Sequence, residues 1–484
     1  MATNGDILAA AVNGTNGITN GTANGINGTT NGIANGITDN ITNGTTKPHL
    51  LFCALPGPGH TLPLLQIAEE MSARGYNVSF LGGKEFFPKI EKMGAEPIEA
   101  ASFFPMELFK VRAAVPEGFL KLVFDIEKVF MNYIPTAFNQ LKDALEMLRR
   151  RHPGREVVVV HESYYFGALP FMYGAPLPEG FDKFPRTLNI HIGPVWTSSK
   201  DTAPFGPGLH PDTTPSGQAR NLLLNDLMYG PDMLFKSATD TLAKIMTAAG
   251  ANHFPVRSLN FLDAVMQSYD VTLQLSAPSL EYPRSDLHPS IKFAGWPPGK
   301  PTNTDSDHPD WWADVVRGDK KVIAVSQGTV ATEYGNLLIP AIQGLAHRDD
   351  VLVIALLGSR GRTLEDVPIP ANTRVVDYFS YDVLLKKADV WVMNAGWGGF
   401  QQGVVNGVPM VLAGNTEDKP EVAARAAYSG VAIDLKTGKA TPEAIAGAVG
   451  EILANDKYKK RAMTIKAETE ALPTYDIIEE HIRA

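Results

Sequence analysis

Apolar and polar positions along the chain fall into two successive series of strand and helix patterns. The first series begins at His49 with an apolar run, HLLFCALP, that predicts a buried strand. A Gly-rich turn follows, and the next residues, PLLQIAEEMSARG, carry apolar positions at helical spacing before the strand pattern YNVSFLGG. A strand, a turn, a helix and a strand in this order are typical of a parallel sheet covered by helices.

The first series continues with further strands, predicted at 157–162, 187–193 and 271–276. Pro, Gly and short polar residues then dominate 286–319, which predicts a linker. A second series starts at 320 and again alternates strand patterns with helical ones. We therefore predict an α/β protein with two Rossmann-like, doubly wound parallel-sheet domains facing a cleft. Such sheets bind ligands at the carboxyl ends of their strands.

Residues 1–47 differ in composition from the rest of the chain. They repeat Asn-Gly with Ile, Thr and Ala and contain no aromatic residue. Asn-Gly favours tight turns, and Gly raises the entropy cost of ordering a chain. Because few large apolar side chains are present to offset that cost, we predict a disordered tail. A solenoid of short repeats is the alternative, and it would need a more regular apolar period.

Charge and cysteine content exclude several classes of protein. A net charge of -9 argues against a nucleic-acid-binding surface, which would be basic. The single cysteine, Cys53, rules out a disulfide within the chain, and its apolar surroundings favour a buried thiol over a nucleophile. No apolar stretch reaches the roughly 18 residues of a bilayer span, and no signal peptide pattern precedes the first strand. We expect a cytoplasmic protein without integral membrane association.

Four stretches of the chain resemble the UDP-sugar-dependent glycosyltransferases of the GT-B fold. In chain order they are PGPGHTLPLLQIAEEMSARGYNVSFL, SLEYPRSDLHPSIKFAGW, VIAVSQGTV and NAGWGGFQQGVVNGVPMVLAGNTEDKPEVAARAAYSGVAIDL. The resemblance covers about 48–484. It implies an acceptor-binding domain at 48–285, a nucleotide-sugar donor domain at 320–465 and a helix at 466–484 that crosses back to the first domain. It also implies a UDP-sugar as co-substrate, a small-molecule acceptor, and no metal or other cofactor.

This sequence departs from the family pattern in the donor signature. Asn394 stands where the signature His is usual, and Gly399 where a Ser contacts the phosphate. Gln402 replaces a Glu that holds the ribose, and the sugar-binding Asp-Gln pair becomes Asp418–Lys419. The pattern is similar to that of a subgroup of microbial members with an Asn-x-Gly opening and Glu-Asp-Lys.

The catalytic base is predicted to be His60, which follows Gly57 at a turn from strand to helix. An acceptor hydroxyl must lose a proton as it attacks the anomeric carbon, and His titrates near neutral pH. A His that caps the following helix is the alternative. The family places an acid after a later strand to hold the base, and Glu162, after VVVVH, occupies such a place. An exposed acid at the strand end is the alternative for Glu162.

The donor site is predicted at Gly-rich turns and helix starts. Backbone amides of 396–399, ahead of a helix, suit a diphosphate. Asp418 could accept sugar hydroxyls, while Tyr378 and Tyr381 could stack on the uracil, with core packing as the alternative for both tyrosines. The predicted donor-binding residues are Gly59, Thr329, Tyr378, Tyr381, Asn394, Gly396, Trp397, Gly398, Gly399, Gln402, Asp418 and Lys419.

The acceptor is predicted to be apolar, because aromatic residues are frequent in the segments between the first strands. The predicted acceptor-binding residues are Phe103, Phe104, Trp196 and Phe205, with Phe109 nearby in sequence. The leading hypothesis is an inverting hexosyltransferase. The alternatives are a GT-B sugar-nucleotide epimerase and a non-catalytic nucleotide-sugar-binding protein. Asp305-Ser306-Asp307 matches the metal motif of a different transferase fold, but its Pro-rich surroundings indicate a solvated loop.

Overall fold

Two parallel sheets organise the chain. The computed structural model describes residues 41–42, 45–103, 105–116, 118–255, 258, 260–299, 308–328 and 333–484. Its strands are β1 (Ile41–Thr42), β2 (Thr45–Thr46), β3 (His49–Cys53), β4 (Asn77–Gly82), β5 (Glu96–Glu99), β6 (Val157–Glu162), β7 (Arg186–His191), β8 (Val271–Gln274), β9 (Ile291–Phe293), β10 (Lys321–Ser326), β11 (Val351–Leu356), β12 (Thr373–Val376), β13 (Val390–Met393), β14 (Met410–Leu412) and β15 (Ala432–Asp434).

Helices cover both faces of each sheet. They are α1 (Pro58–Ala73), α2 (Phe87–Lys92), α3 (Met106–Ala113), α4 (Phe119–Phe124), α5 (Asn132–Arg151), α6 (Leu169–Met172), α7 (Pro215–Tyr229), α8 (Lys236–Ala248), α9 (Phe261–Gln267), α10 (Trp312–Arg317), α11 (Leu338–Leu345), α12 (Tyr381–Leu384), α13 (Trp397–Val405), α14 (Lys419–Tyr428), α15 (Pro442–Ala454), α16 (Asp456–Glu470) and α17 (Thr474–Arg483). A π-helical segment, Asp125–Met131, joins α4 to α5. None of the described helices is both long and apolar enough to cross a bilayer.

The strand order places a crevice at the centre of each sheet. The first sheet runs β5-β4-β3-β6-β7-β8-β9 and the second runs β12-β11-β10-β13-β14-β15, with every pair parallel. In both sheets the chain reverses its direction of strand addition beside the first strand of the domain. Such a switch point opens between β3 and β6 and again between β10 and β13, and ligands bind outside the carboxyl ends of strands there.

The central strand β3 shows why its sequence is continuously apolar. Leu50 and Phe52 lie in the hydrophobic cluster on one face of the sheet, and Leu51 and Cys53 lie in the cluster on the other. A strand covered by helices on both faces needs apolar residues at every position. Burial also raises the pKa of the Cys53 thiol well above its usual value. The side chain is fully buried, as the buried-thiol interpretation expects.

Two boundaries differ from the sequence prediction. The segment 286–319 was predicted as a linker, but it contributes β9, which pairs with β8 in the first sheet, and the helix α10. A three-residue strand between prolines carries too little apolar pattern to be recognised. A single helix was predicted over 466–484, whereas α16 ends at Glu470 and α17 starts at Thr474. The acidic motif at 305–307 lies outside the described residues.

The helix α17 packs against the first domain. The Arg74 guanidinium, at the end of α1, donates to Asp476 and Glu479 over 2.7 and 2.6 Å. Tyr76 also donates its hydroxyl hydrogen to Glu479, over 3.1 Å. Ile478 and Ile482 of α17 are buried in the same cluster as the first-domain residues of α1. The end of the chain therefore ties the second domain to the first.

Deleting residues 1–46 is expected to leave the melting temperature and the activity unchanged. Among the residues that the structure describes, Lys47 is the first with a hydrogen bond to the first domain: its ammonium donates to the Arg74 carbonyl over 2.6 Å, and its own carbonyl accepts from Arg155 over 3.1 Å. The composition of 1–46 provides no core of its own. A matched deletion of 1–50 should lower the melting temperature because it removes Lys47 and the start of β3. Thermal unfolding of both truncated proteins checks this, and destabilisation by the shorter deletion would contradict it.

Candidate active site

His60 stands at the carboxyl end of β3, where the chain turns into α1. Gly57 precedes the helix in an extended conformation, and His60 is the third helical residue. Its Nδ1 lies 3.4 Å from Oε2 of Glu162, and about a quarter of its side chain, 23%, is exposed. A partly exposed imidazole beside a buried carboxylate suits a general base, whereas the N-cap of α1 is Gly57 and no side chain of the described residues caps the helix.

Glu162 is the last residue of β6 and is fully buried. Its Oε1 accepts a hydrogen bond from the Leu55 amide over 3.2 Å, and its Oε2 accepts one from the Tyr164 amide over 2.8 Å. The alternative of an exposed strand-end acid is therefore wrong. Two backbone donors fix the carboxylate in place, and its orientation toward His60 follows from the adjacency of β3 and β6.

Aromatic rings surround the exposed side of His60. Tyr164 lies edge-on to the imidazole with ring centroids 4.9 Å apart, and Phe103 lies at 6.2 Å. Trp196 contacts Tyr164 at 5.1 Å and Phe205 at 6.0 Å. Burial raises the pKa of Tyr164 well above its usual value, and the nearby carboxylates of Asp418 and Glu162 raise it further. Tyr164 therefore stays a neutral phenol beside the base.

The second domain presents the amino end of α13 at its own switch point. Gly396 precedes the helix in an extended conformation, and a Cβ added at Gly398 would meet only open space. A Cβ at Gly399, in contrast, would lie 2.8 Å from Cε of Met393. Gly398 therefore leaves the helix start open to a ligand, while Gly399 serves the packing of α13 on β13. The side-chain amide of Asn394 donates to the Gln327 carbonyl over 2.7 Å, and this bond links the turn after β13 to the turn after β10.

The face of α13 contains buried polar atoms that lack partners in the described part of the chain. They are Nε1 of Trp397, both amide atoms of Gln401, and Oε1 of Gln402. Trp397 and Gln401 are themselves buried, and the Trp397 ring packs 5.7 Å from Phe400. An unpaired buried oxygen on Gln402 is available to a polar ligand without first breaking a bond within the protein.

Asp418 and Lys419 stand at the start of α14. The pKa of Asp418 is raised, first by burial and then by Glu417, while Lys419 and His60 act to lower it. Asp418 of the second domain therefore lies within electrostatic reach of the His60 ring of the first. The Lys419 ammonium donates to Thr416 Oγ1 over 3.0 Å and forms an ion pair with Glu417. The predicted base, on the first domain, and the predicted sugar-binding acid, on the second, are thus close enough to interact electrostatically.

Comparison with known proteins decides the family. A family model for the C-terminal domain of erythromycin biosynthesis protein CIII-like proteins matches residues 341–483. UDP-glucosyltransferase 1 of Beauveria bassiana is 41% identical over 451 residues, which are 91% of this chain and 96% of that protein. UDP-glucosyltransferase A1 of Starmerella bombicola is 36% identical over 90% of this chain and 92% of its own length. The chain belongs to the UDP-glycosyltransferase family.

Solved structures bear out the fold of this UDP-glycosyltransferase. The glycotransferase of kitacinnamycin superposes with a TM-score of 0.65 at 20% identity, over 90% of this chain and 99% of that one. The calicheamicin glycosyltransferase CalG4 superposes with a TM-score of 0.64 at 17% identity, over 90% and 98% of the two chains. The GT-B fold expected from the sequence, with two facing parallel-sheet domains, is confirmed.

Of the remaining predicted site residues of the glycosyltransferase, some are described by the structure and others lie outside the described residues. Tyr381 packs against Trp391 with ring centroids 4.9 Å apart, which fits the core-packing alternative. Tyr378 is exposed, and the Arg360 guanidinium lies 5.1 Å from its ring. A Cβ at Gly59 would meet only open space, so that turn remains open. Thr329, Phe104 and the side chain of Phe109 lie outside the described residues.

Sequence reasoning missed an ion pair that spans the cleft. Arg112 of α3 donates to Glu417 Oε1 over 2.6 Å and to both oxygens of Asp125 over 2.7 Å. Burial acts to raise the pKa of Glu417, but Lys419, Thr416 and Arg112 outweigh it and hold the pKa at about 2. Glu417 therefore remains charged at any working pH. Arg112 and Glu417 are 305 residues apart, and no local pattern links them.

The described residues contain no group of three or more His, Cys, Asp or Glu side chains placed to hold a metal ion.

Proposed function

We propose that this glycosyltransferase moves glucose from UDP-glucose to a hydroxyl of a small apolar acceptor, with inversion at the anomeric carbon. The observation that carries the proposal is the contact of 3.4 Å between His60 Nδ1 and the buried carboxylate of Glu162. Asp418 of the second domain lies close enough to His60 to interact with it electrostatically. Glucose is favoured because the relatives from Beauveria bassiana and Starmerella bombicola are named UDP-glucosyltransferases. A direct displacement needs a base on the side of the sugar opposite to the leaving group, and two domains facing each other provide the two sides.

The acceptor side of the reaction depends on His60. With Nδ1–H directed to Glu162, Nε2 keeps its lone pair and faces the open cleft. As the acceptor oxygen bonds to the anomeric carbon, its proton passes to Nε2. The bond from that carbon to the phosphate oxygen breaks, and UDP leaves with the electron pair. Glu162 stabilises the resulting imidazolium. Its contact of 3.4 Å is long for a hydrogen bond, and we expect it to shorten when substrate is bound.

The donor side depends on α13 and α14. Amides at the start of α13 would receive the diphosphate, and the helix dipole would offset its charge. Asp418 would accept hydroxyls of the hexose, and Gln402 would bond the ribose through its unpaired oxygen. Lys419 would leave Glu417 to meet the phosphate or a sugar hydroxyl. No step of the proposal requires a metal ion.

We base the acceptor class on the aromatic wall near His60, in which Phe103 and Tyr164 lie beside the imidazole, Trp196 packs behind Tyr164, and Phe205 packs on Trp196. Trp196 and Phe205 are buried, and Phe103 is partly exposed beside the base. Flat aromatic surfaces favour phenolic, polyketide or terpenoid natural products. Among the relatives, 4'-demethylrebeccamycin synthase of Lentzea aerocolonigenes is 32% identical over 87% of this chain, and its name supports an acceptor of this kind.

A mass-spectrometric screen tests the proposal. The enzyme is incubated with UDP-glucose and a panel of acceptors, which are phenols, polyketides and terpenoids as apolar acceptors and simple sugars as polar ones. The proposal expects a hexose adduct with apolar acceptors, unchanged by EDTA. Parallel reactions with UDP-galactose and UDP-N-acetylglucosamine test the choice of sugar. Adducts formed only with the polar acceptors would contradict the acceptor class, and adducts formed only with another donor would contradict glucose.

A further inference from the structure

A buried arginine on α14 bonds the donor domain to the acceptor domain. Arg425 is 1% exposed, yet its guanidinium donates from Nε to Glu281 Oε2 over 2.7 Å and from Nη2 to the Val195 carbonyl over 2.8 Å. It also lies 4.3 Å from the centroid of the Tyr282 ring. Val195, Glu281 and Tyr282 all belong to the first domain. The contact is therefore a directional bond between domains inside the protein.

Glu421 completes a triad of buried charges. Its Oε2 accepts from Arg425 Nη1 over 2.6 Å, and its Oε1 accepts from the amides of Gly206 and Gly208, each over 2.7 Å. Gly208 has a φ of 65°, and a Cβ there would lie 2.7 Å from the Pro420 carbonyl oxygen. The loop of the first domain thus touches the backbone at the start of α14, where only glycine fits.

The bonded loop, residues 193–208, forms part of the aromatic wall near His60. It contains Trp196 and Phe205. Glu281 Oε1 accepts from the Val195 amide over 2.8 Å, so both the amide and the carbonyl of Val195 bond to the triad. Arg284 also donates to the Val195 carbonyl, over 3.1 Å. The position of Trp196 is therefore set by bonds on the residue that precedes it, together with the bond from its own Nε1 to the Leu262 carbonyl over 3.1 Å.

The other two members of the triad belong to α14, the helix that directly follows Asp418. Glu421 and Arg425 follow it within about two turns of α14. We propose that the Glu281–Arg425–Glu421 triad is a positioning device that fixes the aromatic acceptor wall to the helix carrying the sugar-binding acid. This inference rests on the proposed function. The triad would set the distance between the acceptor hydroxyl, held by the first domain, and the anomeric carbon, held by the second.

The chemistry of the triad supports positioning over stability. Burying charges costs desolvation free energy, and apolar replacements of such groups are often as stable or more stable. A guanidinium, however, bonds only in a fixed fork geometry, so it specifies one arrangement of the groups around it. An apolar contact would allow the loop to slide on α14. Small displacements of reacting groups reduce rates strongly, since attack requires close approach and alignment.

Glu281→Gln is the most selective test. It replaces one of the two acceptor oxygens with an NH2 group, so either Arg425 Nε or the Val195 amide loses its acceptor, while the neutral Arg425–Glu421 pair within α14 remains. We expect kcat for transfer to fall by about tenfold, and the ratio of glucosyl transfer to UDP-glucose hydrolysis to fall with it. The Kd for UDP, measured by titration calorimetry, should change by less than about twofold, because the nucleotide is bound by the second domain. Arg425→Lys keeps the charge but loses the fork, and it should behave in the same way.

Glu479→Gln is the matched control. Glu479 also joins the two domains through an arginine, Arg74, but on α17 and at the end of α1, opposite the carboxyl ends of the strands. We expect the ratio of transfer to hydrolysis in this variant to equal that of the wild type. Hydrogen exchange of residues 193–208 should accelerate in Glu281→Gln and Arg425→Lys and not in Glu479→Gln. If the wild type forms no glucoside, the proposed function fails. If it does, and Glu281→Gln and Arg425→Lys keep its transfer ratio, the positioning role is wrong.

Discussion

Replacing His60 with Ala is expected to lower sugar transfer to an aliphatic alcohol by about 100-fold or more, the usual contribution of a positioned base. The alcohol keeps its proton near neutral pH, so attack without His60 must wait for a rare alkoxide. The imidazole lies 3.4 Å from Glu162 and is partly exposed beside Tyr164 and Phe103. Initial rates of glucoside formation from UDP-glucose, measured with an aliphatic and a phenolic acceptor, check the prediction.

The acceptor series provides the internal control. An acidic phenol is already partly ionised and should lose much less activity in His60→Ala than the alcohol does. Glu162→Gln should cause a milder loss and alter the pH profile, because the amide cannot stabilise an imidazolium. His347→Ala removes an exposed His at the far end of α11 and should have the rates of the wild type. Equal losses for both acceptors in His60→Ala would show that His60 is not the base.

Replacing Asp418 with Ala is expected to reduce kcat/KM for UDP-glucose by ~30- to 1000-fold, or roughly 2–4 kcal/mol, the loss of a charged acceptor from two buried hydroxyls. UDP lacks the hexose and should bind the variant with nearly unchanged affinity. Asp418 is suited to this role because it directly precedes α14 and lies within electrostatic reach of His60. Titration calorimetry with UDP, together with steady-state kinetics, separates the two effects.

Gln402→Ala is the control for Asp418→Ala, because we expect it to weaken the binding of UDP itself. If its unpaired Oε1 holds the ribose, the affinities for UDP and UDP-glucose should weaken together. Asp418→Ala then changes the response to the sugar alone, and Gln402→Ala changes the response to the nucleotide. Equal weakening of both ligands by Asp418→Ala would place the sugar elsewhere and would shift the alignment of the donor signature.

Much of the fold could be predicted because its elements have strong local patterns. The strand predicted at 157–162 coincides with β6, and the turn at Gly57 leads into α1 as expected. β9 was missed because Ile291–Phe293 is short and lies among prolines, so only its pairing with β8 stabilises it as a strand. Local propensity carries no information about such an edge strand.

The proximity of His60 and Glu162 could also be predicted, from the family pattern of an acid after a later strand, and the adjacency of β3 and β6 explains it. The contacts between domains could not. Nothing in the sequence distinguishes Arg112 or Arg425 from a charged residue on the surface. The partner of Arg112, Glu417, is 305 residues away, and the partner of Arg425, Glu281, is 144 residues away. Whether a charge is buried or solvated depends on how the two domains dock, which no spacing along the chain encodes. The sequence analysis also missed Tyr164, because no local pattern distinguishes it from the other aromatic residues of the first domain.

The measurement that tests the account most directly is a proton NMR time course of the enzyme with UDP-glucose and an apolar acceptor found in the screen. We predict that UDP and a β-glucoside form in equal amounts, with the large H-1 coupling of a β-linkage, since a base opposite the leaving group inverts the α-linked donor. An α-glucoside would contradict direct displacement from His60. A changed sugar nucleotide with untouched acceptor would indicate an epimerase, and bound but unreacted UDP-glucose would indicate a non-catalytic protein.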